Sequence, residues 1–266
     1  MKELVLTDIY IYPVKSLGGI SINSADAGER GLKYDRRYLL VDESGSFLTQ
    51  REYPHLALLK LFIKENGFNV EYKKSGERIL IPFKVASGER INVKIWNDVC
   101  GAIKLPEDIN HWFTKAINKI CYLVYMPDDG RRIVEKKYVA DEHIVSFADA
   151  YPYLIIGQSS LDDLNSRLDT PVPMDRFRPN FVFSGGNPYE EDNWNDFEID
   201  DILFSAVKPC ARCVITTTDQ HTGTRQKEPL KTLSTYRTIN NKVMFGMNVV
   251  SKKSGRVSVG SKIKLV

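Results

Sequence analysis

The sequence predicts an α+β protein that is rich in β structure, with two β-rich halves and few helices. Short apolar runs separated by turn-forming residues dominate its 266 residues, as is typical of β-strands. Only two segments place apolar residues at helical spacing. Turn residues at 127–130 precede a charged stretch at 131–137, and this change predicts a boundary between residues 1–125 and 126–266.

The first half is predicted to consist mainly of strands. The first strand ends near Pro13 and the glycine pair that follows it, because proline and glycine disfavour continuation of a strand. Turn formers at 43–46 lie between two apolar runs and predict a hairpin. The predicted strands cover residues 4–14, 38–42, 47–49, 56–63, 68–72, 79–81 and 91–95.

Two helices are predicted from apolar side chains that recur on one face. The first begins near Pro106, since proline is favoured at the start of a helix, and its apolar positions extend to Ile120. The second begins at Ser159, whose hydroxyl can cap the first turn, and places Leu161 and Leu168 on one face. We expect both apolar faces to pack in the core.

The second half is again predicted to form strands after the Pro-Val-Pro segment at 171–173. Residues 184–196 are rich in glycine, asparagine and acidic residues, and this composition predicts a loop. The predicted strands cover residues 181–183, 202–207, 214–218, 243–250 and 263–266.

The overall composition argues against several classes of protein. A formal net charge of +3 is too small to predict a nucleic-acid or membrane-surface partner. No apolar run could span a bilayer, and the N-terminus lacks the apolar core of a signal peptide. A cytoplasmic protein is therefore expected. In that compartment four cysteines do not indicate a disulfide framework, and Cys100 and Cys121 are expected to be buried free thiols.

The pair Cys210 and Cys213 is the main chemical motif of the chain. Redox dithiols favour a helix after the first cysteine, but a β-branched run follows Cys213. A zinc site needs four ligands, and no second cysteine pair is present. A thiolate that binds a soft or high-valent metal is the third interpretation, with Lys208 and Arg212 favouring the ionised sulfur. From this fragment alone, a purely structural role stays open.

Several basic side chains lie at junctions between loops and predicted strands, where a rigid scaffold commonly directs functional groups. Each one alone is typical of a solvated surface charge. Together they indicate a bound anionic ligand, because the planar arginine fork suits phosphate and pterin edges. These residues are Lys15, Arg36, Arg37, Arg176 and Arg178.

Ordered motifs along nearly the whole chain resemble one protein family. The motifs are Ile11-Tyr12-Pro13-Val14-Lys15-Ser16, Phe177-Arg178-Pro179-Asn180, Cys210-Ala211-Arg212-Cys213, Thr216-Thr217-Thr218-Asp219, Thr222-Gly223, Glu228-Pro229-Leu230, Thr232-Leu233 and Tyr236-Arg237. They are similar to the motifs of MOSC proteins, which are named for the C-terminal domain of molybdenum cofactor sulfurase. Within that family the chain is similar to the mitochondrial amidoxime-reducing component and its bacterial counterparts.

The resemblance implies a MOSC N-terminal β-barrel domain at residues 1–125 and a MOSC β-barrel domain at residues 126–266. A molybdenum–pterin cofactor (molybdopterin) would lie between them, with Cys213 as the metal ligand and Cys210 outside the ligand set. Asp149 would be a second catalytic group near the metal. The cofactor contacts implied by the family are Lys15, Ser16, Arg36, Ala150, Tyr151, Arg178, Asn180, Ala211, Arg212 and Cys213.

The resemblance also implies an activity. The chain would be a molybdenum-dependent oxidoreductase that removes oxygen from small N-hydroxylated compounds. Electrons would come from a separate donor protein of ferredoxin, cytochrome or flavoprotein type, because the sequence has no cysteine-rich iron–sulfur segment. Neither a nucleic-acid partner nor a membrane partner is expected.

Two other functions stay open. A cysteine in a basic pocket can carry a persulfide, so Cys213 could serve sulfur transfer. MOSC domains also occur fused to cysteine desulfurase modules, which leaves pyridoxal phosphate binding open as well. The chain could instead be a non-catalytic carrier that stores or delivers the cofactor.

Overall fold

The computed structural model describes residues 3–139 and 141–266, in which β-strands predominate over three α-helices. The predicted β-rich α+β class with few helices is confirmed. The strands are β1 (Val5–Ile11), β2 (Ile20–Ile22), β3 (Ser24–Gly28), β4 (Gly31–Leu32), β5 (Tyr38–Val41), β6 (Leu59–Lys64), β7 (Gly67–Tyr72), β8 (Arg78–Pro82), β9 (Arg90–Ile95), β10 (Asp98–Lys104), β11 (Tyr122–Tyr125), β12 (Tyr153–Gly157), β13 (Phe181–Ser184), β14 (Asp196–Ile199), β15 (Ile202–Ala211), β16 (Thr238–Ile239), β17 (Lys242–Ser251), β18 (Gly255–Ser258) and β19 (Ile263–Leu265). The helices are α1 (Glu107–Ile117), α2 (Gln158–Asn165) and α3 (Leu230–Ser234), and short 3-10 helices cover Pro54–Leu58, Lys136–Tyr138, Met174–Arg176, Glu190–Asn193 and Val214–Thr217. Within the described ranges no helix is both long and apolar enough to cross a membrane.

The largest sheet joins the two halves of the chain. It follows the order β19-β14-β15-β17-β12-β13-β1-β2, and β16 pairs with β17. β1 runs antiparallel to β13, with Ile9 opposite Phe181. β3 also pairs antiparallel with β18, which lies near the C-terminal end of the sequence. Two smaller sheets, β5-β11-β10-β9 and β6-β7-β8, are built from the first half alone. The domain division at residues 125 and 126 stays a prediction.

One apolar core continues across both halves. Ile9, Phe181 and Phe204 are completely buried. Tyr153 stacks on Phe181 with ring centroids 5.5 Å apart, and it meets Phe204 edge-on at 5.5 Å. Each such ring removes on the order of 150–250 Å² of surface from water. This packing fixes β12, β13 and β15 beside β1, so residues that follow these strands are held in a defined arrangement.

Both predicted helices are present, and the second differs at its start. α1 begins directly after Pro106, as predicted. α2 begins after Gly157, so Ser159 lies inside the helix and does not cap it. The buried carboxylate of Glu191 stabilises the start of α2 instead. It accepts hydrogen bonds from Gly157 N at 3.1 Å and from Ser160 Oγ at 3.0 Å. A long-range contact of this kind leaves no local sequence signal.

The strand predicted at residues 214–218 is wrong. The structure has a 3-10 helix at Val214–Thr217 instead, directly after Cys213. The Thr216 hydroxyl donates to Cys213 O at 3.0 Å, and the Thr217 hydroxyl donates three residues back at 2.7 Å. Threonine hydroxyls that bond back to nearby carbonyls stabilise a turn in competition with a strand. The β-branched composition of this segment was therefore a misleading signal.

Two further predicted strands differ from the structure. Segment 56–63 begins in the 3-10 helix Pro54–Leu58 and becomes extended only at β6, because proline is favoured in the first turn of a helix. Segment 47–49 is not a full strand, since Phe47 makes an isolated bridge to Val41. The sequence patterns also missed β12, which is buried along its whole length and shows no alternation.

Candidate functional site

One cavity of about 730 Å³ is lined by side chains from both halves of the chain. This volume lies in the range of small-molecule and cofactor sites, roughly 300–1,000 Å³. All of the site residues that the family resemblance implies line it, although they come from five separate segments of the sequence. Two basic residues that were grouped with them do not line it: Arg37 pairs with Asp128 at 2.8 Å, and Arg176 pairs with Asp219 at 2.8 Å. The residues that it brings together are Lys15, Ser16, Arg36, Asp149, Ala150, Tyr151, Arg178, Asn180, Ala211, Arg212 and Cys213.

Lys15 and Asp149 form an ion pair in this cavity. Lys15 follows β1, and its Nζ lies 2.6 Å from Asp149 Oδ1. Lys15 is buried, and burial lowers its pKa to about 8 although Asp149 opposes the shift. Asp149 keeps 54% of its side chain exposed at the cavity. Burial alone would raise the pKa of Asp149, but Lys15 and Arg51 outweigh it and hold that pKa well below its ordinary value.

The lowered pKa of Lys15 predicts a pH effect on the stability of the cofactor-free chain. The folded state releases this proton near pH 8, and the unfolded chain releases it near the ordinary value of 10.5. Between these values the unfolded chain binds more protons, so the free energy of unfolding rises with pH. The Lys15→Met variant lacks this contribution.

We therefore expect the wild type to gain on the order of 2–3 kcal/mol relative to Lys15→Met from about pH 7 to about pH 10.5. Urea denaturation of both proteins at a series of pH values measures the difference. Because both proteins contain all the other titratable groups, the contributions of those groups cancel when the two free energies of unfolding are subtracted. A difference that stays flat, or that falls as pH rises, contradicts the expected burial of a charged Lys15.

Two further side chains, which sequence reasoning missed, also contact Asp149. Trp96 Nε1 donates to Asp149 Oδ1 at 3.2 Å. The Arg51 guanidinium carbon lies 4.3 Å from the Trp96 ring centroid, and an Arg51 nitrogen lies 3.9 Å from Asp149 Oδ2. No motif marks either residue. A tryptophan directly after the predicted strand at 91–95 is the one signal that could have drawn attention to this position.

Arg36 and Arg178 share an aromatic platform. Their guanidinium carbons lie 4.4 and 4.2 Å from the Tyr12 ring centroid. Arg36 donates to Asp35 Oδ2 at 2.6 Å and to Asn180 Oδ1 at 3.1 Å. Burial lowers the pKa of Arg178 to about 10. Asn180 is almost fully buried and orients Arg36. Tyr12 lies in the Pro-Val-Lys-Ser motif segment at 11–16, but its role as the platform for both arginines was not predicted.

Unusual backbone conformations are concentrated at the cavity. Among the residues that the structure describes, ten non-glycine residues have positive φ, and five of them line this cavity. Left-handed backbone costs an L-residue on the order of 1–2 kcal/mol, and such conformations persist where the surrounding structure holds them, often at functional sites. Because only 28 residues line the cavity, this concentration indicates a functional site. The five residues are Ser16, Arg36, Trp96, Arg178 and Asn240.

Cys213 lies between the end of β15 and the following 3-10 helix, and it is half-buried at the cavity. Arg212 Nη1 lies 3.0 Å from the sulfur of Cys210. Lys208 pairs with Glu135 at 3.0 Å. The two cations that we expected beside the Cys213 sulfur therefore have other partners. This corrects the expected local charge around Cys213 but leaves its place at the cavity unchanged.

A buried arginine holds the loop that carries three of the predicted residues. Arg132 donates to the carbonyls of Ser146 at 3.1 Å and of Asp149 at 3.0 Å. Next in the chain, Ala150 is exposed at the cavity, whereas Tyr151 is buried and burial raises its pKa to about 12. Sequence reasoning missed Arg132, because its contacts with these carbonyls and with Asp98 at 2.7 Å join distant segments that no motif identifies.

Cys100 and Cys121 are buried free thiols, as predicted. Burial raises the pKa of the Cys121 thiol to about 11. Neither residue lines the cavity. A thiol in such surroundings is inert at neutral pH, so these two cysteines serve packing.

Positive charge exceeds negative charge around the cavity. Asp149 is the one carboxylate among the 28 residues that line it, against seven cationic side chains. A phosphate-bearing ligand would balance this excess. In the part of the chain that the structure describes, no group of three or more His, Cys, Asp or Glu side chains could hold a metal. The cations are Lys15, Arg36, Arg51, Arg178, Lys208, Arg212 and Lys242.

Comparison with known proteins agrees with this architecture. Residues 3–119 match the MOSC N-terminal beta barrel domain, and residues 142–264 match the MOSC domain. The β-rich fold and the shared cavity thus define a two-domain protein of this type, and the chain belongs to the MOSC family.

The relatives carry names from two groups of proteins. The mitochondrial amidoxime reducing component 2 of Rattus norvegicus is 32% identical over 97% of this chain and 82% of its own length. The mitochondrial amidoxime-reducing component 1 of Mus musculus is 30% identical over 98% of this chain and 82% of its own length. The molybdenum cofactor sulfurase of Oryza sativa subsp. japonica is 32% identical over 93% of this chain, which spans 32% of that protein.

Proposed function

We propose that the chain is a molybdenum-dependent oxidoreductase that reduces the N–O bond of small N-hydroxylated compounds. The observation that carries the proposal is the convergence of five chain segments on one cation-lined cavity that includes the half-buried thiol of Cys213. The names of the relatives at 32% and 30% identity support the same activity.

The side chains around the cavity fit an anionic pterin cofactor. Arg36 and Arg178 would neutralise its phosphate and hydrogen-bond its pterin edge, since guanidinium groups bind such planar acceptors in pairs of hydrogen bonds, and Lys15 would add a third positive charge near them. Cys213 would supply the one protein ligand, because a soft thiolate suits a soft or high-valent metal. When bound, the cofactor supplies the electron-transfer and oxygen-removal chemistry, while the protein supplies binding and orientation.

The residues of the chain would supply protons and hold the substrate. Reduction of R–NH–OH to R–NH₂ breaks the N–O bond, consumes two electrons and two protons, and releases one water. A separate donor protein would deliver the electrons. Asp149 faces the cavity and stays ionised, while Lys15 carries the proton of the pair near neutral pH. We assign Lys15 Nζ as the donor of one proton to the departing oxygen, which leaves as water, and the ionised Asp149 as the hydrogen-bond acceptor that orients Lys15. Solvent supplies the second proton.

Metal analysis combined with a reduction assay tests the proposal. Protein produced in cells with a working cofactor pathway is expected to contain about one molybdenum atom per chain. It is also expected to reduce benzamidoxime to benzamidine with reduced methyl viologen as the electron source. Bound molybdenum without any reduction would favour a non-catalytic cofactor carrier.

Sulfur transfer is the second candidate, and the likeness to a molybdenum cofactor sulfurase favours it. In that case Cys213 would carry a persulfide sulfur. Mass spectrometry of the purified protein distinguishes the two functions. An additional sulfur atom on Cys213, in protein that holds no molybdenum, would favour sulfur transfer over reduction.

A further inference from the structure

Arg51 has a guanidinium group whose neighbours orient it but, among the described residues, accept no hydrogen bond from it. The group stacks on Trp96 at 4.3 Å, which fixes its plane. Its nearest carboxylate oxygen, Asp149 Oδ2, is 3.9 Å away, which is too far for a hydrogen bond. The other oxygen of Asp149 is occupied by Lys15 at 2.6 Å. A cation held in this way keeps its donors free for a ligand.

Trp96 is held under Arg51 by an unusual turn. Ile95 pairs with Asp98 across β9 and β10, so Trp96 is the first residue of a two-residue hairpin loop. Its φ is 56°, and glycine is the usual residue at such a position. Phe47 packs edge-on against its ring at 4.8 Å. The surrounding contacts therefore stabilise a strained tryptophan, and the result is an aromatic platform on the cavity wall.

The Arg51–Trp96 pair lies nearer to solvent than Lys15, the buried cation on the other side of Asp149. The side chain of Lys15 is 7% exposed, that of Arg51 is 25% exposed, and Trp96 is 42% exposed. Arg51 was not among the cofactor contacts that the family resemblance implies. A small molecule that enters from solvent would meet this pair beside Asp149.

We propose that Arg51, stacked on Trp96, is a substrate subsite for an anionic oxygen group, either a carboxylate or a phosphate. The preferred substrates of the chain are then N-hydroxylated compounds that carry such a group. A planar, pre-oriented guanidinium binds these anions through two parallel hydrogen bonds. The charge of Asp149 is compensated by Lys15, so it does not repel the ligand. This assignment rests on the proposed reductase function.

The test uses matched neutral and anionic substrates with the cofactor-loaded protein. Benzamidoxime is compared with its 3-carboxy, 4-carboxy and 4-phosphono derivatives, which separate the two anion types. We expect Arg51→Gln to lower kcat/KM about tenfold for at least one anionic derivative, since charge-assisted hydrogen bonds at a partly exposed site contribute about this factor. Benzamidoxime measures any loss that acts through Asp149, so the expected tenfold loss is the fall for the anionic derivative relative to benzamidoxime, about tenfold in the ratio of the two kcat/KM values. Lys242→Gln, which removes another cation from the same cavity, is the control.

Three results would overturn the subsite. The anionic and neutral substrates could respond equally to Arg51→Gln, or Lys242→Gln could have the same effect as Arg51→Gln. Arg51→Gln could also lower the pterin content, measured by the fluorescence of the oxidised pterin, which would make Arg51 a cofactor ligand.

A binding measurement keeps this test separate from the proposed function. Calorimetry gives the Kd of benzamidine and of its carboxy derivatives for the loaded wild type and for Arg51→Gln, with no turnover required. Tighter binding of a carboxy derivative that disappears in Arg51→Gln supports the subsite even in a protein that reduces nothing. Equal Kd values for the neutral and anionic compounds in the wild type would contradict it.

Discussion

Replacing Cys213 with serine is expected to lower the turnover of N-hydroxylated substrates by at least about a thousandfold. Serine has nearly the same size, so the half-buried position remains filled and the fold is retained. Its hydroxyl does not ionise near neutral pH and is a harder ligand, so it cannot replace a thiolate on a soft metal. Steady-state rates with benzamidoxime and reduced methyl viologen measure the loss.

Cys210→Ser is the matched control for this variant. Cys210 is also half-buried at the cavity, but its sulfur contacts Arg212 at 3.0 Å and lies outside the implied ligand set. We expect its turnover to fall less than about tenfold. If Cys213→Ser keeps full turnover, or if the two variants lose activity equally, Cys213 is not the metal ligand.

The second large effect is expected for Arg36→Met, and it concerns stability. Asp35 is 1% exposed and pairs with Arg36 at 2.6 Å. Removing one partner of a buried ion pair leaves an uncompensated charge and costs about 3–5 kcal/mol. We expect the free energy of unfolding of the cofactor-free chain to fall by about 3 kcal/mol, as measured by urea denaturation at neutral pH.

Arg178→Met is the comparison that separates stability from cofactor binding. Arg178 stacks on the same Tyr12 ring at 4.2 Å but has no carboxylate partner within the described residues. Burial already disfavours its charge, as its lowered pKa shows. We expect this variant to stay folded and to lose cofactor. Equal destabilisation of both variants would contradict the separate roles that we assign to the two arginines.

Sequence patterns predicted the parts of this fold in which local chemistry decides the structure. The predicted bounds lie close to the observed ones for α1, which follows a proline, and for the apolar strands β7, β9 and β17. The segment after Cys213 was misassigned, because threonine hydroxyls bond to nearby carbonyls instead of joining a sheet. Pairing of β1 with β13 across the chain could not be derived from local signals.

In the candidate site, too, the sequence predicted the residues that motifs mark and missed those whose contacts form only on folding. The family motifs indicated cofactor contacts in distant segments, and the structure brings those contacts to one cavity, whereas Arg37 and Arg176 lie outside it. Trp96, Arg51 and Arg132 were missed, since each acts on Asp149 or its loop through contacts that exist only after folding. Tyr12 was visible in a motif, yet its role as a platform depends on the positions of two arginines.

The proposed function depends above all on a bond between the sulfur of Cys213 and molybdenum in this cavity. X-ray absorption spectroscopy at the molybdenum edge counts the sulfur atoms bound to the metal and so tests for this bond directly. We expect one sulfur ligand more in the wild type than in a Cys213→Ser protein that still holds the cofactor. An identical sulfur count in the two proteins would contradict it.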